Sequence, residues 1–215
     1  MCRNFISIVQ FIFYGLMKDT YKTIETPSEG IFKNKGSKFY AYAWSVTSEE
    51  EIKGIIAALK KEHHSARHHC YAWRLGTSQI RFRANDDGEP SSTAGRPILG
   101  QLQSFDVTNI LVVVVRYFGG TLLGVSGLIN AYKTAAAEAL KNADIVTKII
   151  EQHFSINFGY NILNEVMDVI KQNNLNVVKT NFEENCSILL TVRNSEVQKI
   201  TEIFSKIYGV KIEPA

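Results

Sequence analysis

One stretch of this 215-residue chain, residues 109–117, consists almost entirely of apolar and mainly β-branched side chains. It reads Asn-Ile-Leu-Val-Val-Val-Val-Arg-Tyr, with no alternation between polar and apolar positions. Consecutive side chains of a strand point to opposite faces of the sheet, so a strand of this composition must be covered on both faces. We therefore predict a central strand in a sheet that is packed on both sides.

The segments around this strand predict a mixed domain of strands and helices. Strands are predicted where Tyr, Phe, Trp and Ile lie between turn residues such as Pro27, Gly30 and Asn34, and helices where apolar residues recur at helical spacing. The predicted strands are residues 20–26, 37–46, 69–75 and 79–85. The predicted helices follow a capping box at Thr47 and Glu50, span residues 93–103 and span residues 128–142. The alanines on one side of the last helix indicate close packing on a sheet.

A second pattern of strands and helices begins after residue 147. Its order is β-α-β-β-α-β, which is typical of the split βαβ or ferredoxin-like arrangement. Its predicted elements are residues 148–158, 161–173, 175–182 and 186–193, a helix after a capping box at Ser195 and Gln198, and residues 210–213, with Glu184 in the hairpin turn. We expect an α+β protein with a boundary near Thr147, giving domains of residues 17–147 and 148–215.

The first 16 residues fit neither domain. Residues 5–17 are almost wholly apolar, yet they are shorter than the roughly 20 residues that a membrane-spanning helix needs. No small-residue cleavage site follows them, as a signal peptide requires. Because the polar residues after Met17 are typical of the start of a soluble protein, we expect translation to begin at Met17. If residues 1–16 are present, we expect them to be disordered or to form a short helix on the protein body.

Composition is that of an ordinary cytoplasmic protein, and we expect that location and no membrane association. Hydrophobic residues make up 45% of the chain and charged residues 21%, without the bias of disordered chains. Cys2, Cys70 and Cys186 are too few and too widely spaced for a disulfide framework, which favours a reducing compartment. A net charge of +3 does not by itself require a nucleic-acid partner.

Arginine is concentrated in one part of the first domain. Six of the eight arginines lie within residues 67–116: Arg67, Arg74, Arg81, Arg83, Arg96 and Arg116. Arginine grips phosphate or carboxylate through two nitrogens at once, so this cluster is a candidate phosphate-binding surface. Interleaved aromatic residues such as Phe82 and Phe118 can stack on bases or belong to the core. A solvated surface without a ligand is the alternative interpretation.

A glycine-rich turn joins the central strand to the alanine-rich helix. A strand, such a turn and a helix together present backbone N–H groups to an anion. We therefore predict a nucleic-acid or phosphate site made by Arg67, His68, Arg96, Arg116, Gly119, Gly120, Gly124 and Gly127. The alternative is that these glycines only allow the strand and the helix to pack closely. The turn lacks the Gly-Lys-Ser/Thr ending of a nucleotide-binding P-loop.

The loop of residues 86–90 carries three carboxylates, those of Asp86, Asp87 and Glu89. Carboxylates this close can hold magnesium, but in such loops they are more often turn and cap residues. We expect the second role for a motif loop of Asp86, Asp87, Gly88, Glu89, Pro90, Ser91 and Thr93. Residues 91–93 are then expected to cap the next helix. Arg96 can pair with one of the three acids as a structural clasp.

Four histidines and a cysteine lie close together at residues 63–70. Because no second group of Cys or His stands at metal-ligand spacing, we predict no zinc site, and we predict no other metal and no cofactor. Adjacent residues of a strand point to opposite faces, so we predict no catalytic pair here and a buried, apolar role for Cys70. His63 and His64 are expected at an exposed helix end.

Three segments of the first domain together resemble the signature of the Impact family. They are His-x-Cys-Tyr-Ala at residues 68–72, Asp-Asp-Gly-Glu-Pro-Ser-x-Thr-Ala-Gly-x-Pro at residues 86–97, and Arg-Tyr-Phe-Gly-Gly through Ala-Tyr at residues 116–132. The resemblance covers about residues 18–145, and the second domain resembles the companion domain of bacterial members. The sequence departs from the pattern at Ser92 and Ser126, where many members have Gly, and at Asn130, where many have Arg. The last difference removes a positive charge and so weakens the argument for phosphate binding at that point.

The resemblance implies a fold for each domain and a field of function. The first domain is expected to share the fold of the second domain of a small-subunit ribosomal protein and of the fourth domain of elongation factor G. The second is expected to resemble that factor's ferredoxin-like fifth domain. Eukaryotic members act on translation control by competing for a ribosome-associated activator of a starvation-sensing kinase, whereas bacterial members have no settled activity.

The leading hypothesis is therefore a non-enzymatic, translation-associated regulatory protein. It would bind RNA or the ribosome through the Arg- and Gly-rich face of residues 67–132. The alternative is a phosphate- or nucleotide-binding enzyme that uses the turn of residues 119–127 for phosphate and the loop with Asp86, Asp87 and Glu89 for a metal. A third hypothesis is a module whose ferredoxin-like half docks a protein partner in translation control.

Overall fold

The computed structural model describes residues 19–183 and 185–215. The expectations for residues 1–16, for a start at Met17 and for Glu184 in a hairpin turn concern residues outside these ranges. The described residues form two compact units, one spanning Tyr21–Lys148 and the other comprising residues 19–20 together with Ile149–Ala215. Antiparallel sheets combined with separate helices confirm the α+β fold class. No helix in these ranges is long and apolar enough to span a membrane.

The first unit is built on a five-stranded antiparallel sheet. In chain order its elements are β1 (Thr20–Ile24), β2 (Ser28–Asn34), β3 (Ser37–Ser45), α1 (Glu49–Glu62), β4 (His68–Leu75), β5 (Arg81–Asn85), α2 (Gly95–Ser104), β6 (Ile110–Tyr117), α3 (Gly124–Lys141) and β7 (Ile145–Ile149). The strand order of the large sheet is β2-β3-β6-β4-β5. β1 and β7 form a separate two-stranded sheet.

β6 is the central strand of this sheet, which confirms the prediction from its sequence. Its side chains alternate between two hydrophobic clusters, one shared with α2 and α3 and the other with α1. Ile110, Val112 and Val114 belong to the first cluster, and Leu111, Val113 and Val115 to the second. All six are fully buried. Helices on both sides of the sheet thus provide the cover that an unbroken apolar strand requires.

β2 lies where the sequence predicted only turn residues. The prediction missed this strand because Gly30 was taken for a turn residue, whereas it lies on β2 and faces α3. A Cβ atom at Gly30 would press against the backbone nitrogen of Ala139, and Ser28 Oγ donates a hydrogen bond to the Ala139 carbonyl at 2.9 Å. Ala131 and Ala135 of the same helix are also fully buried. Small residues on both elements therefore let α3 approach the sheet closely, as its alanines predicted.

Helix α1 begins one residue later than predicted. Ser48 Oγ accepts a hydrogen bond from Glu51 N at 3.2 Å, and Glu51 Oε2 accepts one from Thr47 N at 2.8 Å. The capping box is therefore Ser48 with Glu51, rather than Thr47 with Glu50. The predicted apolar stripe is confirmed, because Ile52 and Leu59 are buried against the sheet.

The second unit has the ferredoxin-like order that its sequence predicted. Its elements are β8 (Glu151–Gly159), α4 (Leu163–Gln172), β9 (Asn176–Phe182), β10 (Asn185–Arg193), α5 (Val197–Ser205) and β11 (Lys211–Pro214), and the antiparallel sheet has the order β11-β8-β10-β9. Ile156, Ile188 and Phe204 are fully buried in its core. The predicted capping box at Ser195 and Gln198 is wrong, because a 3-10 turn precedes α5 and no side chain caps that helix.

Candidate functional site

Asp86, in the motif loop between β5 and α2, caps the helix that follows. Its Oδ1 accepts hydrogen bonds from Ala94 N at 3.0 Å and from Gly95 N at 2.8 Å, and its Oδ2 accepts one from Ser92 N at 2.9 Å. A carboxylate at a helix start satisfies backbone donors that the helix leaves unpaired, and the helix dipole favours its charge. The prediction that the side chains of residues 91–93 cap α2 is therefore wrong.

Asp87 fixes the same loop to β4 and to α1. Its Oδ2 accepts a hydrogen bond from His69 N at 2.7 Å, and its Oδ1 pairs with Lys60 Nζ at 3.0 Å. His68 Nδ1 donates a hydrogen bond to the Asp87 carbonyl oxygen at 2.9 Å. Because a carbonyl oxygen can only accept, Nδ1 of His68 carries a proton. The loop is thus held at the sheet by bonds from both its side chain and its backbone.

Glu89 is buried in a polar cluster with Arg116 and Tyr132. Arg116 Nη1 donates to Glu89 Oε1 at 2.6 Å, and Tyr132 Oη donates to the same oxygen at 2.7 Å. The side chains of Glu89 and Arg116 are only 3% and 7% exposed. A buried charge is costly unless it is paired and hydrogen-bonded, so each of these two ions requires the other.

Cys70 adjoins this cluster from β4. Its Sγ lies 3.3 Å from Tyr132 Oη and 3.0 Å from the Asp86 carbonyl oxygen. Burial raises the pKa of the Cys70 thiol above its ordinary value and also raises the pKa of Tyr132. Reactive cysteines have lowered pKa values and are accessible, so this environment does not favour a nucleophile. The prediction that Cys70 is a buried residue is confirmed.

The three acids of the motif loop have three different sets of partners. Asp86 bonds to the start of α2, Asp87 to α1 and β4, and Glu89 to the buried arginine and tyrosine. Within the described ranges, no group of three His, Cys, Asp or Glu side chains is disposed to hold a metal ion. The clasp between an arginine and one of these acids exists, but its cation is Arg116, whereas Arg96 is exposed on α2.

The glycine-rich turn is partly occupied by contacts within the protein. A Cβ atom at Gly119 would collide with the backbone of Gly36 and Ser37, and Gly119 N donates to Ser37 Oγ at 3.1 Å. This amide is therefore not free, and the prediction that Gly119 binds an anion is wrong for its N–H group. Gly120 and Gly124 have φ angles of +85° and +71°, which residues with a Cβ atom rarely adopt.

Helix α3 begins at Gly124 without a side-chain cap. The side chain of Leu123, the residue before it, cannot accept a hydrogen bond from the first amides. The first amides of an α-helix have no partner inside the helix, and the positive end of the helix dipole lies there. The predicted presentation of backbone donors therefore falls on the first amides of α3, at residues 124–126, rather than on Gly119. Gly127 is the fourth residue of the helix, so its amide belongs to the regular pattern of helix hydrogen bonds.

A cavity of about 500 Å³ lies beside this first turn of α3. It is lined by Arg67, His68, Glu89, Pro90, Arg116, Phe118, Leu122, Leu123, Gly124, Val125 and Leu128. Phe118, Leu122 and Val125 are 51%, 82% and 60% exposed, which gives the cavity an apolar rim open to solvent. The cavity thus combines an exposed arginine, a helix start and apolar side chains.

The structure brings together only some of the predicted site residues. Those that line the cavity are Arg67, His68, Arg116 and Gly124, with Glu89 and Pro90 of the motif loop. Arg96, Gly119, Gly120 and Gly127 are not among the lining residues. Leu122 and Val125 were missed as site residues, because exposed apolar residues in a turn give no signal by themselves. Their position close to Phe118, on either side of Gly124 in a glycine-rich turn, was the available clue.

The six clustered arginines do not form one continuous surface. Three of them bond to other groups of the protein: Arg74, Arg81 and Arg116. Three are exposed and form no ion pair with the described residues: Arg67, Arg83 and Arg96. Of the exposed three, Arg67 lines the cavity. The predicted broad basic face is therefore reduced, at the cavity, to Arg67.

His63 is part of an aromatic cluster rather than an exposed helix end. Its Nε2 lies 2.9 Å from Tyr42 Oη, its Nδ1 lies 2.9 Å from Tyr117 Oη, and its side chain is 14% exposed. Burial raises the pKa of Tyr42 to about 12. The expectation of exposure is wrong for His63 because its two partners come from β3 and β6, which the local sequence does not reveal. It is correct for His64.

Comparison with known proteins identifies the family. The family model of the Impact N-terminal domain matches residues 35–140. An IMPACT family member of Haemophilus influenzae is 33% identical over 178 residues, which are 81% of this chain and 86% of the relative. The chain belongs to the IMPACT family. The IMPACT family member YigZ of Escherichia coli is 32% identical over 177 residues, covering 80% of this chain and 84% of YigZ.

A solved structure supports the same architecture for this IMPACT-family chain. The crystal structure of a hypothetical protein superposes with a TM-score of 0.67 and 27% sequence identity, covering 91% of this chain and 97% of the other.

The three sequence motifs of the family meet at the cavity in this chain. They supply His68 from the first motif, Glu89 and Pro90 from the second, and Arg116 to Leu128 from the third.

Proposed function

We propose that this IMPACT-family chain is a cytoplasmic, translation-associated regulatory protein that binds RNA at the ribosome through the cavity beside α3. The observation that supports this most is the combination of Arg67, the uncapped start of α3 and an exposed apolar rim around one cavity. The family's role in translation control, as the sequence resemblance implies, gives the setting. The two predicted domains, residues 17–147 and 148–215, are proposed to be the functional domains.

The cavity offers two kinds of group that phosphate favours. Arg67 is exposed and has no carboxylate partner among the described residues, so its charge is available to a ligand. The start of α3 adds backbone N–H donors and the positive end of an 18-residue helix. Phosphate contacts of this kind provide affinity that does not depend on sequence, and they weaken with salt.

The rim offers what unpaired bases favour. Proteins that recognise single-stranded RNA stack bases on aromatic side chains, and apolar walls exclude water around them. Phe118 is half exposed at the rim and lies over the Arg116 guanidinium, with 5.6 Å between the ring centroid and Cζ. An exposed aromatic ring close to a group that can bind phosphate is expected of an RNA-binding surface, whereas a simple anion site does not need the ring.

The test is cosedimentation of the purified chain with ribosomes of its host across a salt series. We expect comigration that weakens as salt rises, and a weaker association for Arg67→Ala with a salt slope reduced by about one. Arg83→Ala is the matched control, because Arg83 is exposed but does not line the cavity. Free protein at every salt concentration would refute the proposal. Equal losses for both variants would show that the cavity is not the binding surface.

The geometry does not favour the alternative of a metal-dependent, nucleotide-binding enzyme. The carboxylates of Asp86, Asp87 and Glu89 are each bonded to protein groups and do not converge. A ligand that binds the folded chain raises its melting temperature by mass action. A magnesium-dependent rise with a nucleotide, together with no ribosome binding, would replace the present proposal with the enzymatic one.

A further inference from the structure

We infer that the cavity holds the base of one unpaired RNA nucleotide, with that nucleotide's phosphate at Arg67 and the start of α3. This inference rests on the proposed function, because it names the part of the RNA that the same site would take. It is supported by three features that a phosphate site alone does not need: the volume of the cavity, the chemistry of its wall and the paired guanidinium and carboxylate in its floor.

The volume and the wall suit a flat aromatic group. A cavity of about 500 Å³ is within the range of roughly 300–1,000 Å³ that is usual for small-molecule sites. Its wall contains Phe118, Leu122 and Val125, whose side chains are largely exposed to solvent. Apolar surface of this kind gains from being covered, and a base has an apolar face to cover it. A free phosphate ion would leave that surface in water.

The floor suits a polar edge without net charge. The Arg116–Glu89 pair lines the cavity, and the internal bonds of the pair use Nη1 of the arginine and Oε1 of the glutamate. Nε of Arg116 is buried without a hydrogen-bond partner, and the arginine side chain as a whole is only 7% exposed. An unpaired buried donor is costly, so a ligand that engages this guanidinium is favoured.

A guanidinium beside a carboxylate matches the edge of a base rather than a phosphate. A base edge carries both acceptors and N–H donors, whereas a phosphate carries acceptors and negative charge that the Glu89 carboxylate repels. The Watson–Crick edge of a base is free only when the base is unpaired, which requires single-stranded RNA. The phosphate then lies outside the floor, where Arg67 is exposed and the dipole of α3 is positive.

The experiment compares two single-stranded probes that carry the same phosphates. Fluorescence anisotropy would measure binding of the full chain to a short oligoribonucleotide and to an abasic oligomer of equal length. We expect the intact probe to bind about tenfold more tightly, which corresponds to the stacking of one base. Phe118→Ala should remove most of this difference between the two probes. Arg67→Ala should weaken binding of both probes by the same factor.

Phe82→Ala is the matched control, because Phe82 is an aromatic residue on β5 that is 60% exposed and does not line the cavity. Leu122→Ala is a second cavity variant. Because Leu122 is 82% exposed, this substitution removes little buried surface and leaves the folded core intact. Equal affinity for the two probes, or equal effects of Phe118→Ala and Phe82→Ala, would overturn the inference. A mononucleotide that binds as tightly as the oligonucleotide would overturn RNA as the source of the base.

The outcomes also separate this inference from the proposed function. Ribosome binding that depends on Arg67 but not on Phe118, with no preference for the intact probe, would refute base capture and leave RNA binding in place. A preference for the intact probe without any ribosome binding would refute the role at the ribosome and leave base capture in place.

Discussion

Arg116 and Glu89 form a buried ion pair in which each charge depends on the other. Replacing Arg116 by Ala leaves the Glu89 carboxylate buried without its cation, so we expect the first unit to lose about 3–5 kcal/mol of stability. The protein's two tryptophans, Trp44 and Trp73, both lie in this unit. Urea unfolding followed by tryptophan fluorescence therefore measures the loss.

The control for this prediction removes both charges at similar volume. In the double variant Glu89→Met with Arg116→Met no charge is left unpaired, so it should lose less stability than Arg116→Ala alone. A double variant that is less stable than Arg116→Ala would mean that shape at this position matters more than charge pairing.

Residue patterns reveal the faces of elements better than the partners of side chains. The sequence predicted a clasp between an arginine and the motif loop, yet it pointed to Arg96, which lies close to the loop in sequence. The observed partner, Arg116, is 27 residues from Glu89. It reaches Glu89 because the pairing of β6 with β4 places Arg116 opposite His68, and His68 is bonded to the motif loop. Local spacing contains no information about that register. The same holds for His63, whose tyrosine partners come from two other strands.

At the scale of elements, two glycines test where backbone space is needed. Gly30→Ala places a Cβ atom against the backbone of α3, so we expect it to destabilise the first unit by about 1–3 kcal/mol. Gly54 lies within α1, is exposed and has nothing near its missing Cβ atom. Gly54→Ala should therefore stabilise the same unit by about 0.5–1 kcal/mol, since Ala favours a helix over Gly.

Tryptophan fluorescence during urea unfolding measures both glycine variants in the same assay. Equal small effects of the two variants would show that α3 does not pack on β2 as closely as described. Opposite signs are the expected result, because both changes add one methyl group and differ only in the space around it.

Elements with strong local patterns were predicted, and those that depend on tertiary contact were not. β6 and α3 carry unbroken or regularly spaced apolar residues, so their type followed from the sequence, although α3 begins at Gly124, four residues before the predicted start. β2 was missed because Gly30 and Asn34 have the composition of turns, whereas α3 and β3 on either side hold this segment as a strand. The start of α2 was assigned to the wrong cap because Asp86 is eight residues before Ala94.

At the scale of the whole molecule, the order of elements fixed the fold class, while the cavity could not be predicted. The ferredoxin-like order β-α-β-β-α-β follows from element types alone. The cavity is made by three segments that are distant in sequence, at residues 67–68, 89–90 and 116–128. Its apolar rim is formed by residues such as Leu122, whose role depends on where the other two segments lie.

Two compact units with separate hydrophobic clusters predict two separable unfolding transitions. Phe204 is fully buried in the second unit, so Phe204→Ala should destabilise that unit by about 3–5 kcal/mol. Far-ultraviolet circular dichroism, which reports on both units, should then show an earlier first transition, while the tryptophan transition stays in place. Tyr208→Ala, at a position 97% exposed, is the control and should shift neither signal. If Phe204→Ala moves the tryptophan transition as well, the two units unfold as one cooperative block, and loss of the second would impair the cavity of the first.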